Sequence, residues 1–184
     1  MQLVLATQNP GKVAEIADLL ADAGITVLPR PDGLDETIED AGTLEGNAEK
    51  KAAEVCSATG LAALADDTGL FVDALDGRPG VLTARFGGWE RLLDALKSQT
   101  VRTARFRTVL TVVYPDGREP LLVEGIAEGL IADEPEGEGG FGYDPVFVPL
   151  DGDGRSFANM TKAEKNQISH RGRALRELLA ALSS

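Results

Sequence analysis

The sequence LVLATQNPGKVAEI, residues 3–16, leads a short apolar run into hydroxyl, amide and lysine side chains. Asn9 stands where a helix N-cap belongs, and Pro10 where the first helical residue belongs. Unpaired backbone N–H groups and the helix dipole make such an end attractive to anions. Gly11 allows a ligand to approach the backbone, and Lys12 adds a positive charge. The segment predicts a phosphate site; the alternative is an ordinary capped helix with a solvated lysine.

Two carboxylates follow a predicted buried strand at residues 61–65. Asp66 and Asp67 stand where that strand is expected to end, and this edge of an α/β sheet is where ligands usually bind. Adjacent residues of an extended chain point to opposite sides, so one of the two is expected to face a cleft. Carboxylate oxygens suit Mg²⁺ held together with substrate phosphates. The alternative is turn chemistry over Asp67-Thr68-Gly69.

A predicted helix over residues 43–59 carries further polar side chains. Residues four apart share one face of a helix, which pairs Glu45 with Glu49 and Asn47 with Lys51. The glutamates offer additional oxygen ligands for a metal. The alternative is a solvated helix face.

The segment GEGGFGYDPVF, residues 137–147, places Phe141 and Tyr143 between glycines. Rings on such a backbone can stack on a nucleotide base, an interaction worth roughly 1–3 kcal/mol per base. The alternative is a glycine-rich turn whose aromatic rings lie in the core.

Five potential cations lie within twelve residues near the end of a chain that has only 18 lysines and arginines. They are Lys162, Lys165, His170, Arg171 and Arg173. Arginine can make a planar, two-point hydrogen bond to a carbonyl or phosphate. Thr161 with Glu164 fits a capping box, and Ser169 fits the cap of the last helix. Because cations are unfavourable at a helix N-terminus, the cluster favours ligand binding over a solvated helix turn.

Strands and helices alternate early in the chain and strand pairs dominate its middle, which predicts an α/β protein with a mixed, elongated central sheet flanked by helices. Apolar spacing predicts helices from Pro10 to Gly24, over 43–59, over 90–97 and over 169–182. Strands are expected at 2–6, 25–28, 61–65, 104–114, 121–131 and 146–148, with a loop over 66–80. The strands at 104–114 and 121–131 are expected to be antiparallel. The length of 184 residues predicts a single domain, 1–184, with two lobes around a cleft.

Composition excludes several kinds of site and partner. A formal net charge of −12 argues against binding polymeric nucleic acid. With one cysteine, Cys56, and one histidine, His170, a Cys/His zinc site is excluded, so that any metal must be held by oxygen. No apolar run approaches the roughly 20 residues of a membrane span, and no signal peptide is recognisable. We therefore expect a cytoplasmic protein.

Six collinear motifs cover nearly the whole chain. They are T-x-N-x-x-K at 7–12, N-A-x-x-K-A at 47–52, A-D-D-T-G-L at 65–70, R-P-G-V-x-x-A-R-F at 78–86, G-F-G-Y-D-P-x-F at 140–147 and K-N-x-x-S-H-R at 165–171. In this order the chain resembles the inosine triphosphate pyrophosphatase family, which hydrolyses the non-canonical nucleotides ITP, dITP and XTP to the monophosphate and pyrophosphate. The resemblance implies a nucleotide-binding cleft, a Mg²⁺ requirement and a homodimer.

The resemblance also implies roles for individual residues. Phosphates are held by Thr7, Asn9 and Lys12, and Asp67 is the general base and a metal ligand. Thr68 lies beside the substrate. The base is covered by Phe141, Gly142, Tyr143 and Asp144, and the remaining contacts come from Lys165, His170 and Arg171. Arg171 is a candidate for reading the 6-keto group of the purine, which accepts hydrogen bonds where adenine donates them.

Two departures from the family pattern concern the metal site and one loop. Family members commonly carry glutamate directly before the Asn-Ala pair, where this chain has Gly46. The acid here is Glu45, one residue earlier, which on a helix rotates the side chain by about 100°. Glu45 is the predicted second metal ligand, and Glu49 is an alternative. The loop after Ala-Arg-Phe at 84–86 is shorter than usual.

Two other functions stay open. One is a related pyrophosphatase acting on modified pyrimidine nucleotides, as in the Maf-like group. The other is a nucleotide-binding regulator without hydrolysis, which would bind nucleotides and release no pyrophosphate.

Overall fold

A computed structural model describes residues 1–183 of the chain. The α-helices are α1 (Pro10–Asp22), α2 (Leu44–Thr59), α3 (Gly88–Ala95), α4 (Lys162–Ile168) and α5 (His170–Leu182). The strands are β1 (Gln2–Leu5), β2 (Thr26–Leu28), β3 (Ala63–Val72), β4 (Pro79–Gly80), β5 (Thr103–Val113), β6 (Leu121–Ile131) and β7 (Phe147–Pro149). Every helix in this part of the chain is too short or too polar to cross a membrane.

The strands form one mixed sheet, which confirms the predicted α/β class. Its order is β2-β1-β3-β5-β6-β7, and β4 pairs with β3 off this path. Strand β1 is parallel to β2, with Leu3 opposite Val27, and parallel to β3, with Val4 opposite Ala63. The short strands β4 and β7 pair antiparallel with β3 and β6.

The chain divides into two compact units. Unit 1 comprises residues 1–67, 108–124 and the chain from Ala174 onward. Its core forms where the apolar stripes of α1 and α5 pack on the buried faces of β1, β3 and β5, including Leu3, Leu5, Ile16, Leu20, Leu64, Leu110, Leu175 and Leu178. The prediction of a single domain over 1–184 stays a prediction.

Unit 2 comprises residues 68–107 and 125–173. Its core is richer in aromatic rings and includes Leu70, Val72, Leu92, Phe106, Tyr143, Phe147 and Phe157. The rings of Phe106 and Phe147 lie 4.7 Å apart, and those of Phe147 and Phe157 lie 5.1 Å apart. Phe106, Phe147 and Phe157 therefore pack as one aromatic group.

The helix ends agree with their sequence signals. Asn9 caps α1, since its side-chain oxygen accepts the N–H groups of Gly11 and Lys12. Gly60 ends α2 in the left-handed conformation, with φ of 67°. The capping box of Thr161 and Glu164 is present at the start of α4, as predicted. Local cap chemistry was therefore sufficient to place these ends.

Two element boundaries were predicted wrongly. Helix α3 begins at Gly88, one residue after the left-handed Gly87, whereas apolar spacing placed its start at residue 90. The strand predicted over 61–65 begins at Ala63 and continues to Val72, through the first seven residues of the predicted loop over 66–80. Turn-type residues in that segment mislead a local prediction, because β-structure depends on cross-strand partners.

Candidate functional site

Asp66 and Asp67 lie inside strand β3 and not at its end, so the position predicted for them is wrong. Both residues are buried. A buried carboxylate is costly unless it is paired and hydrogen-bonded, and each of these two is paired with a lysine. The ammonium of Lys12 forms an ion pair with Asp66, and that of Lys51 forms one with Asp67. The alternation of side chains along a strand gives each acid a different helix as its partner.

Helix α2 supplies the two donors that hold Asp67. Lys51 Nζ donates to Asp67 Oδ1 at 2.8 Å, and Asn47 Nδ2 donates to Asp67 Oδ2 at 3.2 Å. Lys51 Nζ also donates to the backbone oxygen of Asp66 at 2.8 Å. The spacing of four on α2 therefore presents an amide and a cation to one carboxylate. The sequence indicated that these two side chains share a face of the helix, but it did not indicate that their common partner is Asp67.

A third carboxylate joins this group from the segment that precedes α2. Glu39 Oε1 accepts from Lys51 Nζ at 2.9 Å, so Lys51 touches both Glu39 and Asp67. Lys50 holds the same segment by donating to the backbone oxygen of Ile38 and to Asp40, both at 2.8 Å. Sequence reasoning missed Glu39, since it lies in a segment without periodicity. We call Lys12, Glu39, Asn47, Lys51, Asp66 and Asp67 the carboxylate cluster.

Charge and burial act in opposite directions on the carboxylate cluster. Burial raises the pKa of the Asp67 carboxyl above its ordinary value, and Lys51 opposes this effect. Burial also disfavours the charged form of Lys51, but Asp67 and Asp66 outweigh it and raise the pKa of that ammonium. Asp67 is therefore a stronger base than an exposed aspartate, while Lys51 stays a cation.

The beginning of α1 differs in one respect from the predicted anion site. The N–H groups of Gly11 and Lys12 are engaged by Asn9 Oδ1, at 3.0 and 3.3 Å, so the expectation that they are unpaired is wrong. The N–H of Asn9 in turn donates to Thr7 Oγ1 at 3.2 Å. The cation and hydroxyl of this segment, Lys12 and Thr7, remain its candidates for binding phosphate.

The carboxylates of this cluster suit a divalent ion that is bound partly by protein and partly by a ligand. They suit an ion bound by protein ligands alone less well. Within residues 1–183, no group of three or more His, Cys, Asp or Glu side chains is placed to hold a metal ion. Glu39 and Asp67 meet at one lysine, and Mg²⁺ is usually bound by one or two carboxylates together with substrate phosphates. Glu45 is partly exposed and Glu49 is exposed.

The space around Gly46 leaves no room for a side chain. A Cβ atom there would lie 2.7 Å from the Cβ of Ala41 and 3.1 Å from Thr43 Oγ1. The segment before α2 thus occupies the space that a side chain at Gly46 would need. A side chain at position 46 would therefore require this segment to move.

A second polar group lies in unit 2, where Asp144 and Lys165 form a buried ion pair. Lys165 Nζ donates to Asp144 Oδ2 at 2.6 Å, and the two side chains are only 6% and 5% exposed. The same Oδ2 accepts the backbone N–H of Phe141 at 2.8 Å. A Cβ atom at Gly140 would lie 2.0 Å from this oxygen, so glycine is required there.

Two cations of this group, Lys165 and Arg171, lie close to the ring of Phe141. Lys165 Nζ lies 4.8 Å from the ring centroid, and the Arg171 guanidinium carbon lies 5.7 Å from it. Arg171 Nη2 also donates to Thr68 Oγ1 at 3.1 Å. Phe141 is only partly buried, and Gly142 beside it is exposed. We call Thr68, Phe141, Asp144, Lys165, His170 and Arg171 the aromatic–cation cluster.

His170 belongs to this group through its ring. The imidazole is buried and stacks on Phe106, with centroids 4.4 Å apart and an interplanar angle of 17°. Ser169 caps α5 as predicted, since its hydroxyl accepts the N–H of Gly172 at 3.1 Å. Arg173 has different partners, the backbone oxygen of Ile126 and the carboxylate of Asp151. Of the five predicted cations, Lys165, His170 and Arg171 are buried, while Lys162 is exposed.

The two predicted aromatic residues of the glycine segment have different environments. Phe141 is partly buried, whereas Tyr143 is 6% exposed and belongs to the unit 2 core. Tyr143 is therefore a core aromatic residue, as the alternative interpretation expected, whereas Phe141 is partly accessible.

Comparisons with known proteins identify the family of this chain. The model of the Ham1 family matches residues 3–181. A dITP/XTP pyrophosphatase of Exiguobacterium sp. is 46% identical over 99% of this chain and 97% of its own length. One of Thermus thermophilus is 49% identical over 98% of this chain and 91% of its own.

Solved structures show the same fold. A HAM1 protein from Coxiella burnetii matches with a TM-score of 0.88 at 39% identity, covering 100% of this chain and 98% of its own. The Staphylococcus aureus Ham1 protein matches with a TM-score of 0.87 at 34% identity and the same coverage. Sequence and structure together place this chain in the Ham1 family.

Proposed function

We propose that this chain hydrolyses non-canonical purine nucleoside triphosphates, namely ITP, dITP and XTP, to the monophosphate and pyrophosphate, and so cleanses the nucleotide pool. The observation that carries the proposal is the buried Asp67, held by an amide and a cation from one helix face. Relatives described as dITP/XTP pyrophosphatases support this substrate class. They do not favour a Maf-like activity or a regulator without hydrolysis.

Asp67 is the proposed general base. A carboxylate whose pKa burial raises accepts a proton more readily than an exposed one, and a base works best when its pKa approaches the working pH. Asp67 would orient and deprotonate a water directed at the α-phosphorus. Asn47 and Lys51 fix the carboxylate, so that little reorganisation is needed during the reaction.

The cations of the carboxylate cluster would neutralise the phosphates. Lys12 and Lys51 lie on different helices, and each forms an ion pair with an aspartate. Thr7 and Asn9 at the start of α1 add polar contacts. Phosphoryl transfer requires positioning and charge neutralisation more than covalent catalysis, so that a set of paired acids and lysines suits the reaction.

Mg²⁺ is the proposed cofactor, and when bound it would add charge neutralisation at the phosphates and polarise the reacting phosphoryl group. Asp67 is one proposed ligand. Sequence resemblance points to Glu45 as the second, whereas Glu39 is the acid that shares Lys51 with Asp67. Glu39→Gln and Glu45→Gln form a matched pair for this question. The true ligand is the one whose change raises the Mg²⁺ concentration for half-maximal rate.

The aromatic–cation cluster is the proposed base site. Phe141 offers a ring face for stacking, with Gly142, Tyr143 and Asp144 completing the same segment. Arg171, held by Thr68, can donate to a 6-keto oxygen, which adenine lacks. Lys165 and His170 complete the proposed contacts with the nucleotide.

Pyrophosphate release from ITP, dITP, XTP, dGTP and ATP, with and without Mg²⁺, tests the proposal. We expect turnover of the first three at much higher kcat/KM than ATP, and loss of turnover on chelation. Preference for modified pyrimidine nucleotides would indicate the Maf-like alternative, and binding without release would indicate a regulator. A homodimer and a cytoplasmic location stay predictions.

A further inference from the structure

Tyr143 is attached at its hydroxyl to a part of the chain 60 residues away. The phenol donates to the backbone oxygen of Thr83 at 2.9 Å. Burial raises the pKa of this phenol, which keeps the proton needed for donation. The hydroxyl thus links Tyr143 to the backbone of a distant segment of the chain.

The acceptor residue is itself fixed by its neighbours. Thr83 is buried, and its hydroxyl donates to the backbone oxygen of Gly80 at 2.5 Å. The same hydroxyl accepts the N–H of Leu70, in strand β3, at 2.8 Å. The backbone oxygen that Tyr143 contacts therefore belongs to a residue bonded to both β3 and β4.

Tyr143 lies between the two residues of the aromatic–cation cluster that its own segment supplies. Phe141 and Asp144 are bonded to each other in both directions: Phe141 N–H to Asp144 Oδ2 at 2.8 Å, and Asp144 N–H to the backbone oxygen of Phe141 at 3.2 Å. Gly140 and Gly142 have positive φ angles, of 68° and 61°. Glycine adopts positive and negative φ about equally readily, so these residues do not themselves hold the turn in one conformation. This turn gains a fixed attachment to the core through the Tyr143 side chain.

We propose that Tyr143 is a positioning residue, which acts on the base through Phe141 and Asp144 by fastening their turn to the backbone of Thr83. This proposal rests on the proposed function, because the base is taken to bind at Phe141. It assigns a role to Thr83, whose backbone oxygen holds the turn independently of the base.

Tyr143→Phe tests the proposal, because it removes the hydroxyl and keeps the buried ring. We expect KM for ITP to rise about tenfold with kcat within about twofold, since lost alignment of the base site weakens binding more than chemistry. Tyr114→Phe is the matched control, as it removes the hydroxyl of the only other tyrosine. A titration with inosine monophosphate, followed by the fluorescence of the single tryptophan, Trp89, should show a matching loss of affinity.

A second pair of variants keeps the test decisive if Tyr143→Phe folds poorly. Thr83→Val removes the hydroxyl that fixes the acceptor residue and should raise KM in the same way, whereas Thr83→Ser should retain the wild-type value. Equal KM in Tyr143→Phe and Tyr114→Phe, or a fall in kcat alone, would overturn the positioning role while leaving ITP hydrolysis intact. Failure of the unmodified chain to turn over ITP would overturn both proposals.

Discussion

The carboxylate cluster and the aromatic–cation cluster hold charge in contrasting ways. In the carboxylate cluster, Asp66 and Asp67 are adjacent on a strand, and lysines of two different helices neutralise them. In the aromatic–cation cluster, one acid, Asp144, is paired with Lys165 while Arg171 lies near the same ring. The first cluster offers oxygen ligands and a base, and the second offers a ring face and hydrogen-bond donors.

In the proposed function, this difference would separate catalysis, at the carboxylate cluster, from base selection, at the aromatic–cation cluster. A cluster of paired acids and lysines can exchange its internal partners for a metal ion and phosphates. A partly buried ring beside fixed donors can distinguish one base from another, because an unmatched donor would be left unpaired. The chain as a whole carries 30 acidic and 18 basic residues, so its net charge does not predict the charge at either cluster.

The largest effect is expected for Asp67→Asn. Losing the proposed base should lower kcat on ITP by roughly 10²- to 10⁴-fold with KM little changed. Steady-state rates of pyrophosphate release measure this. The amide keeps the shape of the side chain, and Lys51 retains Glu39 as an ion-pair partner, so the fold should persist.

Asp116→Asn is the control for Asp67→Asn. Asp116 is also paired with a cation, Arg118, but both side chains are largely exposed. We expect wild-type rates from this variant. A similar loss of rate in both variants would show that the effect on Asp67 is not catalytic.

Lys165→Met should affect the other cluster through stability. Removing the ammonium leaves the buried carboxylate of Asp144 without its cation, which typically costs about 3–5 kcal/mol. Urea unfolding should show a lower midpoint with an unchanged slope. An unchanged midpoint would contradict the buried-pair description, and the double variant Lys165→Met with Asp144→Asn should recover part of the loss.

The smallest effect is expected for Glu164→Gln, next to Lys165 on α4 but in an exposed pair. Hydrogen bonds from Arg155 and Thr161 lower the pKa of Glu164 to about 2 from its ordinary value of 4.5. A lowered pKa stabilises the folded state above pH 4.5, and this contribution is lost as pH falls from 4.5 toward 2. Removing the carboxylate should flatten the pH dependence of stability in that window.

Urea midpoints at pH 6 and pH 2.5 measure the Glu164→Gln effect. Glu177→Gln, on the exposed side of α5, is the control and should keep the wild-type difference between the two midpoints. Equal acid sensitivity in Glu164→Gln and the wild type would contradict the pairing with Arg155. The comparison with Lys165→Met separates an exposed pair from a buried one on the same helix.

Sequence reasoning succeeded where a feature depends on neighbouring residues. Asn9, Thr161 and Ser169 all cap helices as predicted, because a cap forms between a side chain and N–H groups two or three residues away. The aromatic–cation cluster was also predicted in most of its members, since glycines and cations marked its two segments.

Sequence reasoning failed where partners are distant in the chain. Asp67 was placed at a strand end because the residues after it favour turns, but its charge is met by Lys51, 16 residues earlier. Glu39 lies in a segment without periodicity and gave no signal. The acceptor of the Tyr143 hydroxyl lies 60 residues away, beyond any local pattern.

The most direct test of this division of labour is the ratio of kcat/KM for ITP to that for ATP, measured in two variants. Arg171→Ala should lower the ratio by roughly tenfold or more, because the donor that reads the 6-keto oxygen is lost. Asp67→Asn should slow both nucleotides alike and keep the ratio within about threefold of the wild-type value. An unchanged ratio in Arg171→Ala, or a collapsed ratio in Asp67→Asn, would contradict the assignment of selection and chemistry to separate clusters.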